Sequence, residues 1–277
     1  MVRSKSSLAI LLVAGAASVV AACAGRPREE VQFRERPVEQ LYQEALRQLD
    51  RKYWAEAATA FDEVERQHPY TEWARRAILM SAYASYQANK YDDAIAAAQR
   101  FLTLHPGNRS APYAYYLIAM CQFEQILDVG RDQNTTVNAK NALLEVERRF
   151  PASDYARDAR LKLDMVDDQL AGKEMEVGRY YLRRDQYIAA ANRFKTVISD
   201  YQTTSHTPEA LYRLVETYLA LGVTDEATAA GAVLGYNFPG SPWYADAYRL
   251  LKGQGLAPEE SPEKRDGWWR RAIGRVL

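Results

Sequence analysis

Residues 91–106 read YDDAIAAAQRFLTLHP, and the pattern inside this stretch recurs along most of the chain. Tyr91 lies three residues before Ala94, Ala98 lies four residues after it, and Pro106 lies twelve residues after it. Ala57, Ala94, Ala139 and Ala227 each precede a proline by twelve residues in this way, and Ala190 is a fifth member with Gln202 in place of the proline. A small residue lets two helices approach closely, and a proline cannot continue a helix. The pattern therefore predicts five helical hairpins.

The residues around these anchor alanines support a helical fold. Four residues beyond the anchors stand Phe61, Ala98, Leu143, Phe194 and Gly231. Apolar residues recur three and four apart from Val38 onward, and no strand-like alternation persists. The unit resembles the tetratricopeptide repeat, which has about 34 residues. We predict an all-α fold, a solenoid of about five degenerate tetratricopeptide-like helical hairpins over residues 38–252.

The predicted elements have approximate bounds. The helix pairs span about 38–68, 71–105, 110–150, 153–201 and 205–238, and a short helix follows at about 242–252. Residues 153–184 contain no internal proline and are predicted to form one long helix, whereas residues 128–134 are predicted to form a polar loop. Thr207 and Ser241 each stand before a proline, and we expect both to cap the amino terminus of a helix.

The amino-terminal segment is typical of an exported lipoprotein. Arg3 and Lys5 precede an apolar run from Leu8 to Val20 that is short for a membrane span. The run closes in Val20-Ala21-Ala22-Cys23, which resembles the bacterial lipobox. We predict a signal peptide at 1–22, lipid modification of Cys23 and a polar tether over 23–37; an ordinary secretory signal is the alternative. Ala24, rather than an aspartate, after Cys23 indicates sorting to the outer membrane.

Composition argues against several classes of function. The chain has 36 Lys+Arg and 36 Asp+Glu, so removal of Arg3 and Lys5 with the signal peptide leaves 36 − 2 = 34 basic residues. This balance gives no reason to expect nucleic-acid binding. If Cys23 carries lipid, Cys121 has no disulfide partner, and it is expected to be a buried thiol. No metalloprotease, serine-hydrolase or Walker motif occurs, and the three histidines are far apart in sequence. We expect no catalytic residue, no metal and no cofactor.

Local stretches point to one family of proteins. They are Leu41–Ala45, His68–Tyr70, residues 100–106 (RFLTLHP), residues 150–155 (FPASDY) and residues 176–181 (EVGRYY), continuing through Asn192-Arg193 to Asp200-Tyr201. Together with the lipobox, the tether and the long helix of the fourth hairpin, they resemble the BamD-type lipoproteins of the outer-membrane β-barrel assembly machine. The resemblance covers roughly residues 39–240.

This resemblance implies a non-catalytic scaffold. Family members hold the periplasmic POTRA region of the BamA-like barrel-forming subunit with their carboxyl-terminal repeats, work beside other lipoproteins of the machine, and are held to the membrane by lipid. Their amino-terminal repeats are thought to receive unfolded outer-membrane proteins. The family's Asn-Arg pair maps onto Asn192 and Arg193, the candidate partner-binding residues. Its first-turn Tyr-Pro-Phe appears here as His68-Pro69-Tyr70. The candidate substrate-binding residues are His68, Tyr70, Trp73, Tyr83 and Tyr86.

Residues 253–277 are predicted to form a linker and an amphipathic carboxyl-terminal helix. From Asp266 to Leu277, the apolar residues fall within one half of a helical wheel and three arginines occupy the other half. Such a helix could lie on a membrane surface, dock on a partner or pack on the last repeat. Two other functions of the whole chain stay open: a periplasmic repeat protein that coordinates envelope constriction, and a regulator of murein hydrolases.

Overall fold

The computed structural model describes residues 36–256, and in this range the chain is a succession of helices. They are α1 (Val38–Asp50), α2 (Trp54–Gln67), α3 (Glu72–Gln87), α4 (Tyr91–Leu104), α5 (Ala111–Glu124), α6 (Asn134–Arg149), α7 (Asp154–Leu182), α8 (Tyr187–Asp200), α9 (Thr207–Leu221), α10 (Thr224–Asn237) and α11 (Pro242–Gly253). The predicted all-α fold is confirmed. Cys23, the predicted signal peptide and the predicted helix at 266–277 lie outside the described residues.

The helices pair as five hairpins followed by α11. Each helix from α1 to α10 packs on the next one along the chain. First helices of neighbouring hairpins also touch, as α1 touches α3, and α9 touches α11. The long helix predicted for the fourth hairpin is α7, with 29 residues. The polar loop predicted in the third hairpin is also present between α5 and α6, where the Gln169 side chain of α7 donates a hydrogen bond of 2.8 Å to the carbonyl of Leu127.

The anchor alanines lie where the two helices of each hairpin meet. Ala57, Ala94, Ala139, Ala190 and Ala227 are completely buried. The residues four positions further on are buried as well, and Phe61, Leu143 and Phe194 are among those with no exposed surface. Close approach is most evident in the fourth hairpin, where a Cβ placed on Gly178 of α7 would lie 2.5 Å from the Phe194 ring of α8. The recurring small residues are therefore contact points of the core.

Four of the five hairpins share one geometry in the turn between their two helices. Its central residue adopts the left-handed conformation two positions before the second helix begins: Lys52 (φ 61°), Asn89 (φ 58°), Asp185 (φ 56°) and Gly222 (φ 77°). The backbone N–H of the following residue donates to the carbonyl five residues earlier, as Tyr53 does to Gln48 at 2.9 Å. This arrangement satisfies carbonyls that the end of a helix leaves free. The third hairpin departs because its turn is replaced by the longer polar loop.

The turns between hairpins explain the recurring prolines. The residue that directly follows each second helix has a φ angle between −133° and −137°; these residues are His68, His105, Phe150, Tyr201 and Phe238. A following proline disfavours helical backbone at the preceding residue. Tyr201 has the same conformation although Gln202 follows it, and the hydroxyls of Thr204 and Thr207 donate to its carbonyl at 2.8 and 3.1 Å.

One of the two predicted helix caps is wrong. His206, not Thr207, is the residue before α9, and Thr207 is the first residue of the helix. The Thr207 hydroxyl donates to the carbonyls of Tyr201 and Gln202 in the preceding turn, and within residues 36–256 no side chain caps the first amides of α9. Ser241 does cap α11, because its hydroxyl accepts a hydrogen bond of 3.3 Å from the N–H of Trp243.

Candidate protein-binding surfaces

Arg193 lies on α8 beside the buried face of that helix. Ala190, Phe194 and Val197 turn inward, whereas Asn192 and Arg193 are exposed. The Arg193 side chain keeps 45% of its surface exposed and places Nη1 3.1 Å from Oε2 of Glu174 on α7. The guanidinium is therefore held in one direction by an ion pair across the hairpin. A guanidinium has five N–H donors, so one carboxylate leaves donors free for another acceptor.

An apolar surface adjoins Asn192 at the turn end of the fourth and fifth hairpins. Ile188 is 69% exposed and Leu221 is 38% exposed. These two side chains, Tyr187 and Asn192 line one shallow depression. We call the surface formed by Tyr187, Ile188, Asn192 and Leu221 the Ile188 surface. Sequence reasoning missed Ile188, although its position two residues before Ala190 puts an aliphatic side chain on the outer face of the helix.

The first-turn residues His68, Tyr70 and Trp73 differ greatly in exposure. Tyr70 is fully exposed in the turn between α2 and α3. Trp73 is only partly exposed, because its ring packs 5.0 Å from that of Tyr42, which in turn lies 5.4 Å from the Phe61 ring. His68 is half-buried where α2 ends, and its backbone N–H donates to the carbonyl of Val64. Of the three, Tyr70 presents its whole side chain to a partner.

Tyr83 and Tyr86 lie at the other end of α3. Trp73 and Tyr86 are thirteen residues apart on one helix, which corresponds to roughly 20 Å at 1.5 Å per residue. The five candidate substrate-binding residues are therefore not brought together in one site. His68, Tyr70 and Trp73 form one group, and Tyr83 and Tyr86 belong to a second surface that extends onto the neighbouring hairpins.

That second surface is a cluster of tyrosines on first helices. The Tyr155 ring of α7 lies 5.7 Å from the Tyr113 ring and 5.1 Å from the Tyr116 ring, both on α5. The hydroxyl of Tyr86 donates to Glu124 at 3.3 Å, and that of Tyr116 donates to Asp158 at 2.5 Å. Tyr83 interacts with Tyr113 at the edge of this surface. We call Tyr83, Tyr86, Tyr113, Tyr116 and Tyr155 the tyrosine cluster.

The environment keeps the hydroxyls of Tyr86, Tyr113 and Tyr116 protonated. Burial, with a smaller contribution from Glu124, raises the pKa of Tyr86 to about 12. Burial also raises the pKa of Tyr113 and Tyr116 far above the ordinary value, and the bond to Asp158 adds to the effect at Tyr116. The same bond to Tyr116 lowers the pKa of the Asp158 carboxyl. These three rings thus combine an apolar body with a neutral hydroxyl, a combination suited to contacts with polypeptide.

The described residues offer little for other chemistry. Between residues 36 and 256, no group of three or more His, Cys, Asp or Glu side chains is arranged to hold a metal ion. No helix in that part of the chain combines the length and apolarity needed to cross a membrane. Cys121 is completely buried, and burial raises the pKa of its thiol to about 12.

Comparison with known proteins decides the family. The sequence profile of a family described as "YfiO: Outer membrane lipoprotein" matches residues 34–234. The chain is 56% identical over 276 residues to the outer membrane protein assembly factor BamD of Caulobacter vibrioides, covering 99% of this chain and 89% of that protein. The chain belongs to the BamD family.

Other BamD proteins are similar over most of their length. This BamD-family chain is 47% identical to the BamD of Rickettsia prowazekii over 78% of this chain and 86% of that protein. It is 34% identical to the BamD of Neisseria meningitidis serogroup A over 94% of this chain and 98% of that protein. The resemblance seen in the sequence is confirmed. Membership in this family associates the chain with the outer membrane and with protein assembly there, and its relatives are named as assembly factors rather than as enzymes.

Proposed function

We propose that this chain is a non-catalytic, lipid-anchored scaffold of outer-membrane β-barrel assembly. In this proposal its fourth and fifth hairpins hold the POTRA region of a BamA-like barrel-forming subunit, and its first three hairpins receive unfolded outer-membrane proteins. Family membership supports this role over envelope constriction or regulation of murein hydrolases.

The observation that carries the proposal is the Ile188 surface with Arg193 beside it. Exposed aliphatic side chains next to an ordered arginine are typical of protein interfaces, where apolar contacts are surrounded by polar groups. Because Glu174 already orients Arg193, less side-chain entropy is lost when a partner carboxylate binds. That partner would meet the partly exposed guanidinium of Arg193 and, beginning at the adjacent residue Asn192, the Ile188 surface.

The tyrosine cluster and Tyr70 support the second part of the proposal. Unfolded barrel proteins present extended segments that combine apolar side chains with unpaired backbone groups. Tyrosine rings can cover the apolar side chains, and the hydroxyl oxygens, whose protons are donated to Glu124 and Asp158 in Tyr86 and Tyr116, can accept hydrogen bonds from backbone N–H groups. The separation of Tyr70 from the cluster suits a long, extended segment better than a compact ligand.

The ion pair between Arg193 and Glu174 shapes the experiment. Arg193→Glu alone would remove a partner contact and also place two carboxylates together inside the chain. The exchange Arg193→Glu with Glu174→Arg restores the internal pair, whose own contribution to stability is about 0.2–1 kcal/mol at this exposure. The exchange still presents a carboxylate to the partner. An interface role and an internal structural role therefore predict different results for the double variant.

The measurement is a titration of isolated POTRA domains against the purified chain. We expect Arg193→Glu and the exchange variant both to weaken binding by at least tenfold, because loss of a desolvated charge pair costs about 2–5 kcal/mol. Arg100→Glu is the matched control, since Arg100 is 42% exposed and pairs with Glu65 at 2.8 Å, but in the first two hairpins. Full recovery of affinity in the exchange variant would assign Arg193 a structural role only. Absence of binding by the unsubstituted chain would favour the alternative functions.

A further inference from the structure

The last described helix, α11, ends in the way that a first helix of a hairpin ends. Gly255 adopts a left-handed φ of 76°, and the N–H of Leu256 donates to the carbonyl of Leu251 at 2.9 Å. The same φ sign and the same hydrogen bond to the fifth residue back occur in the four short hairpin turns, at Lys52, Asn89, Asp185 and Gly222. In each of those four turns, a second helix follows. The backbone at the end of α11 therefore has the geometry that starts a hairpin.

The packing of α11 is that of a first helix without its partner. Within residues 36–256, α11 packs on α9 and α10 of the preceding hairpin. Only two of its twelve residues, Ala247 and Leu251, are buried, whereas α9, which has its second helix, buries seven of fifteen. One side of α11 is consequently open among the described residues.

Tyr248 marks the open side. Counting seven residues back from the left-handed turn residue gives Ala45, Ala82, Gly178 and Val215 in the four short hairpins, and all four are buried. This position faces the second helix: Gly178 meets Phe194, and Val215 lies 3.9 Å from a Cβ placed on Gly231. The same count from Gly255 gives Tyr248, which is 44% exposed. A tyrosine beside Tyr244 thus remains partly exposed at the position that a second helix covers elsewhere.

The sequence beyond α11 contains a segment with the pattern of a second helix. Ala272 follows Ala227 by 45 residues, the same interval that separates Ala94 from Ala139. Val276 lies four residues after Ala272, just as Phe61, Leu143 and Phe194 lie four residues after their anchor alanines. Trp268 and Trp269 precede Ala272 by four and three residues. Aromatic residues precede the anchor alanines of other hairpins by the same intervals, namely Tyr53, Tyr91 and Tyr187. The arginines of this segment, at positions 270, 271 and 275, avoid these sites.

We propose that residues 266–277 pack against the open side of α11, around Tyr248, as the second helix of a sixth hairpin. The connection is long enough, because the nine residues 257–265 can span about 30 Å when extended, whereas α11 is about 18 Å long. A segment tethered so closely has an effective concentration in the millimolar range at this surface. Two tryptophans bring a large apolar area to the contact.

Disulfide trapping in the full mature chain carrying Cys23→Ser tests the placement. We expect Tyr248→Cys with Val276→Cys to form an intramolecular disulfide at least tenfold faster than Arg249→Cys with Val276→Cys. Arg249 is the matched control, because it is the adjacent residue, its side chain is 77% exposed, and it points about 100° away around the helix. Cys121 does not compete at neutral pH, since it is buried and its thiol stays protonated. Equal rates for the two pairs would overturn the proposal.

A second measurement avoids altering Tyr248. Hydrogen exchange of the α11 amides is compared between the mature chain and the variant Ala272→Glu, which places a charge at the proposed anchor. We expect the α11 amides to exchange at least tenfold faster in the variant and to be unaffected by vesicles containing phosphatidylglycerol. Identical exchange in the two chains would overturn the proposal. So would faster exchange of α11 on adding vesicles to the unsubstituted chain, because the segment would then prefer a membrane surface.

Discussion

Replacement of Gly178 by alanine tests whether close helix approach organises the fourth hairpin. Gly178 lies in the interior of α7, and an added Cβ would stand 2.5 Å from Cε1 and 2.9 Å from Cδ1 and Cζ of Phe194. Ordinary carbon contacts are about 3.5–4.0 Å. The Phe194 ring is completely buried, so it cannot turn away without displacing other core residues. The helices must separate, or the ring must leave its preferred conformation.

Two opposing terms set the magnitude. Overpacking of a well-filled core costs about 1–3 kcal/mol. Alanine is more favourable than glycine in a helix interior by about 1 kcal/mol. The net loss for Gly178→Ala is therefore between about zero and 2 kcal/mol. Gly172→Ala on the same helix is the matched control, because its new Cβ would meet the imidazole of His206 at 3.2 Å and Val129 at 3.5 Å or more, and a partly exposed imidazole can shift.

Urea unfolding followed by circular dichroism measures both variants. We expect the free energy of unfolding of Gly178→Ala to lie about 1–3 kcal/mol below that of Gly172→Ala, which is the packing term freed of helix propensity. In the double variant Gly178→Ala with Phe194→Ala, the two losses should not add, because removal of the ring removes the clash. If Gly178→Ala is as stable as Gly172→Ala, the approach of α7 to α8 is not close and the reasoning is refuted.

Two further predictions concern the tyrosines and the lipid anchor. The fold holds the pKa of Tyr86, Tyr113 and Tyr116 above the ordinary value of 10, so their contribution to stability is present below pH 10 and is lost as pH rises through the raised values. The free energy of unfolding should fall between pH 9 and 11.5, and less steeply in Tyr113→Phe with Tyr116→Phe; identical slopes would contradict this account. Cys23→Ser should abolish lipid labelling in cells and release the chain into the soluble periplasmic fraction. Even a single acyl chain gives only marginal membrane anchoring, and serine at position 23 would carry none. Labelling that survives the substitution would exclude Cys23 as the acceptor.

The hairpins could be predicted because each follows from local rules. An alanine that must fit between two helices and a proline that must end the second helix leave marks at constant spacing, so the bounds of the pairs followed from Ala57, Ala94 and their equivalents. The length of α7 followed from the absence of an internal proline. The turn residues Lys52, Asn89 and Asp185 were missed, because lysine and aspartate, unlike the equivalent Gly222, give little signal for a left-handed conformation.

The candidate sites were less predictable, because they depend on contacts between helices. Glu174 lies nineteen residues before Arg193, and only the antiparallel packing of α7 on α8 brings their side chains together. Trp73 and Tyr70 are three residues apart, yet one joins the core and the other is fully exposed. Thr207 had two ways to satisfy its hydroxyl, and the carbonyls of the preceding turn, which the sequence pattern does not show, proved the better acceptors.

The Ile188 surface differs in kind from the residues that make the fold. On α8 the face of Ala190, Phe194 and Val197 already completes the packing of the fourth hairpin, so Ile188 adds nothing to that core. An aliphatic side chain that remains 69% exposed contributes little hydrophobic stabilisation to this chain, and a partner that covered it would gain that stabilisation on binding. Exposed single apolar residues are common, but here Leu221 and Tyr187 line the same depression, and Arg193 is oriented nearby by Glu174. This combination is what a surface covered by a partner would present, which is why we propose partner binding at these hairpins rather than at the repeat as such.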